Sequence, residues 1–173
     1  MDVGTGDGNA VLGWARSEAD RLFIGVDANA AGMRRSARRA KGISNAAFVV
    51  AAAEALPDDL AGVADRVTVQ FPWGSLLRGI LSADGPVLDN LARISAPGAT
   101  FTVLWSVADR DLPAIGPRVP PQPREDLLAA AGFDLFELRP ATASELRSSG
   151  STWAKRLRAG VDRPVTLLRA VRR

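Results

Sequence analysis

The sequence has no cysteine and no histidine. Zinc sites built from those ligands are therefore excluded. So is nucleophilic catalysis of the Ser-His-Asp or Cys-His type. No disulfide framework can form. A long apolar run is also missing, although 47% of the residues are hydrophobic, so a soluble globular body is expected rather than a membrane protein. No secretory leader is visible, which makes a cytoplasmic address the default expectation. A chain of 173 residues has the size of one domain, burying about two thirds of its unfolded surface. Residues 1–173 are accordingly read as a single domain.

What is present begins with glycine. Asp2-Val3-Gly4-Thr5-Gly6-Asp7-Gly8 places three glycines at alternate positions, where a strand end turns into a helix. Glycines there let a ligand approach the backbone, and the following helix offers unpaired N–H groups. Asp27 closes a second apolar run at the distance where a nucleotide-binding fold holds a ribose hydroxyl with a carboxylate. The glycine spacing differs from G-x-G-x-x-G, whose turn faces a pyrophosphate. Asp7 would repel phosphate but suits a cationic amino-acid group. That combination favours S-adenosylmethionine over NAD. A glycine-rich turn without a ligand is the bland alternative, and the position of Asp27 argues against it.

The periodicity predicts an α/β chain. Helix is expected over Val11 to Asp20, Asn29 to Ala40, Asp84 to Ile94 and Glu125 to Ala131. After the first strand end, strands are expected at Leu22 to Val26, Ala46 to Ala51, Arg66 to Phe71, Ala99 to Leu104, Phe133 to Leu138 and Pro164 to Val171. Trp14 reads as a core residue. Residues 105–124 read as a long Pro-rich link (Pro113, Pro117, Pro120, Pro121, Pro123), a length that usually signals function or mobility. Glu54, after the third strand, reads equally as a hydrogen-bond acceptor beside a bound adenine or as a helix N-terminal acid. Trp73, between Pro72 and Gly74 at a strand's carboxyl end, is poorly placed for core packing and reads as functional.

Net charge is only +3, but its distribution is uneven. Arg34, Arg35, Arg38, Arg39 and Lys41 crowd one short segment, and the helical spacing sets the four arginines on one side. Like charges so close destabilise an isolated helix, so a compensating anion is expected. From Glu145 onward the chain carries eight basic residues against two acidic ones. A localised polyanion contact fits both clusters; solvated arginine faces are the alternative. Ser148 to Arg158 sets serines, a glycine and Trp153 beside Lys155, Arg156 and Arg158, and reads as a nucleic-acid contact loop. Base stacking on such an aromatic is worth about 1–3 kcal/mol. The competing reading is a tryptophan that anchors a helix to the core.

With Pro72-Trp73-Gly74-Ser75-Leu76-Leu77-Arg78-Gly79 and Ser151-Thr152-Trp153-Ala154-Lys155-Arg156-Leu157 beside the glycine motif, the chain resembles a known family. It looks like the aminoglycoside-resistance methyltransferases that modify N1 of adenine-1408 in 16S rRNA, the kanamycin–apramycin resistance group. The resemblance runs from Asp2 almost to the carboxyl end. It implies a class I, Rossmann-like S-adenosylmethionine-dependent fold, with a mostly parallel seven-stranded sheet and helices on both faces. It also implies a flipped adenine held between Trp73 and Trp153, and a cofactor site drawn from Asp2, Gly4, Thr5, Gly6, Asp7, Asp27, Ala28, Ala53, Glu54 and Phe71. Arg34, Arg35, Arg38, Arg39 and Lys41 match the segment that docks on the small ribosomal subunit. Ser151, Lys155, Arg156 and Arg163 match positions that hold rRNA phosphates or position the second tryptophan. A monomer without membrane contact or metal is implied.

The chemistry suits the composition. Adenine N1 already carries an in-plane lone pair, so no strong base is needed. Methylation at pyrimidine C5 through a cysteine adduct is excluded by the missing cysteine. Relatives carry an extension and most of the first strand ahead of the Asp-Val-Gly motif, whereas this chain begins at Met1-Asp2, so the amino-terminal part of that strand is expected to be missing. Two other readings stay open on sequence alone: a methyltransferase of the same fold acting on tRNA or a small molecule, and an inactive RNA-binding homologue.

Overall fold

The computed structural model describes residues 1–83, 85–107, 122–161 and 163–173. Seven strands form one sheet in the order β3-β2-β1-β4-β5-β7-β6. They are β1 (Asp2–Val3), β2 (Phe23–Asp27), β3 (Ala46–Val50), β4 (Ala64–Gln70), β5 (Ser95–Trp105), β6 (Phe133–Pro140) and β7 (Thr166–Arg172). All neighbours from β3 to β5 pair in parallel, and β7 runs antiparallel to both β5 and β6. The helices are α1 (Asn9–Ser17), α2 (Ala30–Ala40), α3 (Gly74–Ser82), α4 (Val87–Ile94), α5 (Glu125–Ala130), α6 (Ala143–Ser148) and α7 (Thr152–Arg156). The mostly parallel α/β class follows the sequence reading.

The chain builds outward from β1 to β3 and then returns to the other side of β1 with β4. Strand order reverses between β1 and β4, and in open sheets of this kind ligands bind outside the carboxyl ends at that switch. The central strands turn valines to one buried face, whereas Thr68, Gln70 and Thr102 on the other face are only half-buried. Val3, Val26, Val67, Val69, Phe101 and Val103 meet Leu77, Ile80 and Leu91 from α3 and α4 in the main core. Phe101 and Phe133 stack there with centroids 4.8 Å apart.

β1 is only two residues long, with Asp2 opposite Gly25 and Thr68, and Val3 opposite Val26. The Met1 ammonium takes the next ladder position and donates to Arg66 O at 2.6 Å. Burial pushes this ammonium's pKa down. A groove of about 700 Å³ opens beside it, lined by Thr68, Thr102 and Leu104 of the sheet and by Trp14, Phe23 and Val63.

Several boundaries differ from the sequence reading. α3 falls where only the tryptophan motif had been noted, although Leu77, Ile80 and Leu81 have helical spacing and are fully buried. β5 begins four residues earlier than expected, at Ser95, because Ser95 pairs with Ala64 and the strand passes through Pro97 and Gly98 beside a bulge. Trp105, assigned to the Pro-rich link, ends β5 in the core at 2% exposure. Residues 108–121 of that link, with Pro113, Pro117, Pro120 and Pro121, lie outside the described residues. The contact loop before β7 is two short helices, α6 and α7. Among the described residues no helix is long and apolar enough to cross a membrane.

Candidate active site

The glycine turn is shaped by space as well as by torsion. Gly8 has φ +69°, and a Cβ there would lie 2.5 Å from the Phe48 ring, so only glycine fits. α1 then starts without a side-chain cap. Asp7 Oδ1 accepts from Asn9 N at 3.0 Å, while Ser36 of α2 donates to Asp7 O at 2.5 Å. Asp27, at the end of β2, locks the turn from the other side. Its Oδ2 accepts from Gly6 N at 2.7 Å and its Oδ1 from Asn29 N at 2.8 Å. Each carboxylate oxygen retains a second lone pair.

Around this turn lies a cavity of about 550 Å³ built from successive strand ends. Gly4 and Gly6 follow β1, Asp27 and Ala28 follow β2, Ala51 to Glu54 follow β3, and Phe71 to Trp73 follow β4. Ser106 follows β5, and its buried hydroxyl has no partner among the described residues. Phe71 turns the chain with φ +52°, a conformation costly for a non-glycine residue, while its N–H donates to Leu104 O at 2.7 Å. This turn delivers Trp73 to the cavity wall at the N-cap of α3. Trp153 reaches the same cavity from α7.

The two indoles are 53% and 51% exposed, whereas Trp105, Phe101 and Phe133 are buried in the core. Trp153 also lies over the glycine turn, with its Nε1 3.9 Å from the place a Gly6 Cβ would take. Its ring carries the Arg156 guanidinium 5.7 Å from the centroid, a cation–π distance. Ser151 caps α7 by accepting from Ala154 N at 3.3 Å.

Most of the residues expected at a cofactor line this cavity: Gly4, Gly6, Asp27, Ala28, Ala53, Glu54 and Phe71. Asp2, Thr5 and Asp7 do not; they border a small pocket of about 20 Å³ between the turn, Ser151 and Trp153. Asp2 is fully buried, and burial pushes its carboxyl up against the hydrogen bonds that Thr68 and Gln70 donate to it. Of the expected RNA contacts, Arg34, Arg35, Arg38, Arg39 and Lys41 are exposed on and just beyond α2, and Lys155 and Arg156 are exposed on α7. Ser151 and Arg163 are instead buried, at 9% and 7% exposure, and Arg163 lines the large cavity. Ser75, Leu76, Ser106 and Leu157 also line it; sequence reasoning had not singled them out, although Ser106 stands at the strand-end position that marks such sites.

The lining matches an adenosyl group. Ala51, Ala53 and Leu76 offer apolar walls, Asp27 and Glu54 offer carboxylates, and the Ser106 hydroxyl, without a partner among the described residues, offers one more polar contact. Residues 1–172 match the family described as "NpmA: 16S rRNA (adenine(1408)-N(1))-methyltransferase".

The chain belongs to this family.

A 16S rRNA (adenine(1408)-N(1))-methyltransferase from Streptoalloteichus hindustanus is 36% identical over 94% of the chain and 81% of the relative. One from Escherichia coli is 28% identical over 94% and 82%. Among solved structures, a mutant of the Catenulisporales acidiphilia 16S rRNA (adenine(1408)-N(1))-methyltransferase with its cosubstrate SAM superposes with a TM-score of 0.85 at 33% identity, covering 99% of this chain and 84% of that one. The 16S rRNA methyltransferase KamB superposes with a TM-score of 0.83 at 34% identity, covering 99% and 86%. The cavity thus occupies the strand-end side of a fold that this family uses with S-adenosylmethionine, and both indoles stand at its mouth.

Proposed function

We propose that this family member methylates N1 of adenine-1408 in 16S rRNA within the small ribosomal subunit, as a monomer and a single domain in the cytoplasm, and so confers aminoglycoside resistance. The observation that carries the reading is the pair of half-exposed indoles, Trp73 and Trp153, facing one strand-end cavity. S-adenosylmethionine supplies an electrophilic methyl group. Asp27 and Glu54 are the carboxylates placed to hold its ribose and adenine, with Gly4 and Gly6 under its amino-acid end. Asp2, Thr5 and Asp7 act behind the turn by fixing its shape.

The target base must leave its stack, which costs a few kcal/mol. Stacking on two aromatic faces offsets that cost at about 1–3 kcal/mol per face. It also holds N1 in line with the donor, so that a bimolecular transfer becomes effectively unimolecular. No side chain has to remove a proton from N1, which fits a chain without histidine or cysteine. The exposed cations of α2 and α7 supply the phosphate contacts. Arg163, buried in the cavity wall, acts from inside by holding the Trp153 segment.

The test is methylation of purified small subunits with labelled cofactor, the modified base being mapped by primer extension. A stop next to adenine-1408 is expected. Label appearing only on tRNA or on small molecules would overturn the reading.

A further inference from the structure

Glu145 sits at the third position of α6, away from the cavity, and holds more polar contacts than a helix cap requires. Arg139 of β6 donates to it in a bidentate pair, Nη2 to Oε1 at 2.7 Å and Nη1 to Oε2 at 2.9 Å. Arg169 of β7 donates to Oε1 at 2.9 Å. The Thr142 N–H and hydroxyl donate to Oε2, each at 2.8 Å, while the Thr142 hydroxyl accepts from Glu145 N. Glu137 closes a four-membered ring of alternating charge by accepting from Arg139 Nε at 2.8 Å and from Arg169 Nη1 at 2.6 Å. The Glu145 side chain is only 18% exposed, and its pKa is driven well below the usual carboxylate range, by Arg139 above all. Bidentate pairs of this kind fix orientation as well as distance.

What the ring holds is the base of an arm. Leu146, next in the chain, packs on the cluster of Leu104, Val165 and Leu167, together with Phe71. At the far end of α6, Ser148 O accepts from Trp14 Nε1 of α1 at 3.3 Å. Ser149 Oγ then accepts from Ser151 N at 3.2 Å, and Ser151 caps the helix that carries Trp153. The chain between Glu145 and Trp153 is therefore hydrogen-bonded at nearly every step. Phe71, in contact with the same apolar cluster, is two residues from Trp73.

We propose that Glu145 is a positioning residue: locked to β6 and β7 by Arg139 and Arg169, it sets α6, and through α6 the place of Trp153 at the cavity mouth. This rests on reading Trp153 as one jaw of the base clamp, but its consequence for Trp153 is measurable without methylation. Glu145→Gln keeps the side-chain volume and one acceptor for the cap while removing the charge that closes the ring. Arg169→Gln opens the ring and leaves the capping box whole.

Fluorotryptophan labelling gives one fluorine NMR resonance for each of the four tryptophans, assignable by Trp→Phe variants. In either variant the Trp153 resonance is expected to shift or broaden while that of the buried Trp105 stays fixed. Transfer to small subunits should fall about tenfold in kcat, the equivalent of one lost charge-assisted hydrogen bond, with S-adenosylmethionine affinity held within about twofold. Where Glu145→Gln does not fold, Arg169→Gln decides. An unmoved Trp153 resonance overturns the proposal, and so does an equal displacement of Trp105, because the ring would then be a general stabiliser. If the unaltered chain fails to methylate small subunits, the functional reading falls while the spectroscopic result still decides the role of Glu145.

Discussion

At the residue scale, the side chains proposed as functional are those the fold leaves unburied or over-constrained. An indole that is half exposed at a cavity mouth adds little to folding, so Trp73→Ala and Trp153→Ala should leave the melting temperature nearly unchanged. Each removes one stacking face, worth about 1–3 kcal/mol, which is roughly 5- to 150-fold in transfer rate; single-turnover assays on small subunits would measure it. Asp27 behaves differently because its carboxylate also ties the turn through Gly6 and Asn29. Asp27→Ala should weaken S-adenosylmethionine binding, read by calorimetry, and also lower stability by about 1–3 kcal/mol through the two unpaired N–H groups. Asp27 was legible in the sequence because its distance from the glycine turn is set by the βαβ unit. Ser106 was not, because a serine after a strand carries no pattern of its own. Its place emerges only when the carboxyl ends of five strands converge.

At the element scale, strongly periodic segments were legible and boundary segments were not. α2 matches its expected helix because Asn29 caps it, its Oδ1 accepting from Gly32 N at 3.1 Å, and Met33 and Ser36 turn inward while the arginines face out. α6 and α7, of six and five residues, are too short to show a period. They depend on capping and on the ring around Glu145, which is a tertiary arrangement. That ring predicts a pH response. The Glu145 carboxyl lies below its ordinary value of 4.5 in the folded chain, so its contribution to stability is complete above that pH. It is lost progressively as the pH falls toward the folded value, because the unfolded chain then takes up the proton first. Glu137 is lowered in the same direction by Arg169 and Arg139 and adds to the effect. Melting temperatures followed downward from pH 6 should therefore drop more steeply for the unaltered chain than for Glu145→Gln. Parallel curves would show that the ring contributes nothing through its charge.

At the scale of the whole molecule, labour in the proposed reading is divided between a sheet end for the donor and exposed cations for the substrate. A net charge of +3 would not by itself steer a protein onto RNA; its concentration on α2 is what the proposed docking relies on. Arg34, Arg35 and Arg38 are exposed, whereas Arg39 also donates to Asn9 Oδ1 at 3.2 Å and helps hold α1 beside α2. The three freely projecting arginines can therefore be changed without loosening the glycine turn. Converting all three to alanine should leave S-adenosylmethionine affinity unaltered while weakening binding to the small subunit. Each phosphate contact contributes about 0.7–0.9 to the slope of log affinity against log salt, so the slope should flatten by roughly 2 to 3 if all three meet phosphates. The distinction from a shape change is sharp. A distorted site weakens binding by the same factor at every salt concentration, whereas lost phosphate contacts matter most in dilute buffer and vanish in concentrated salt. Binding curves for the triple variant that stay parallel to the unaltered chain's across the salt series would remove α2 from the docking surface and leave α7 as the main cationic contact.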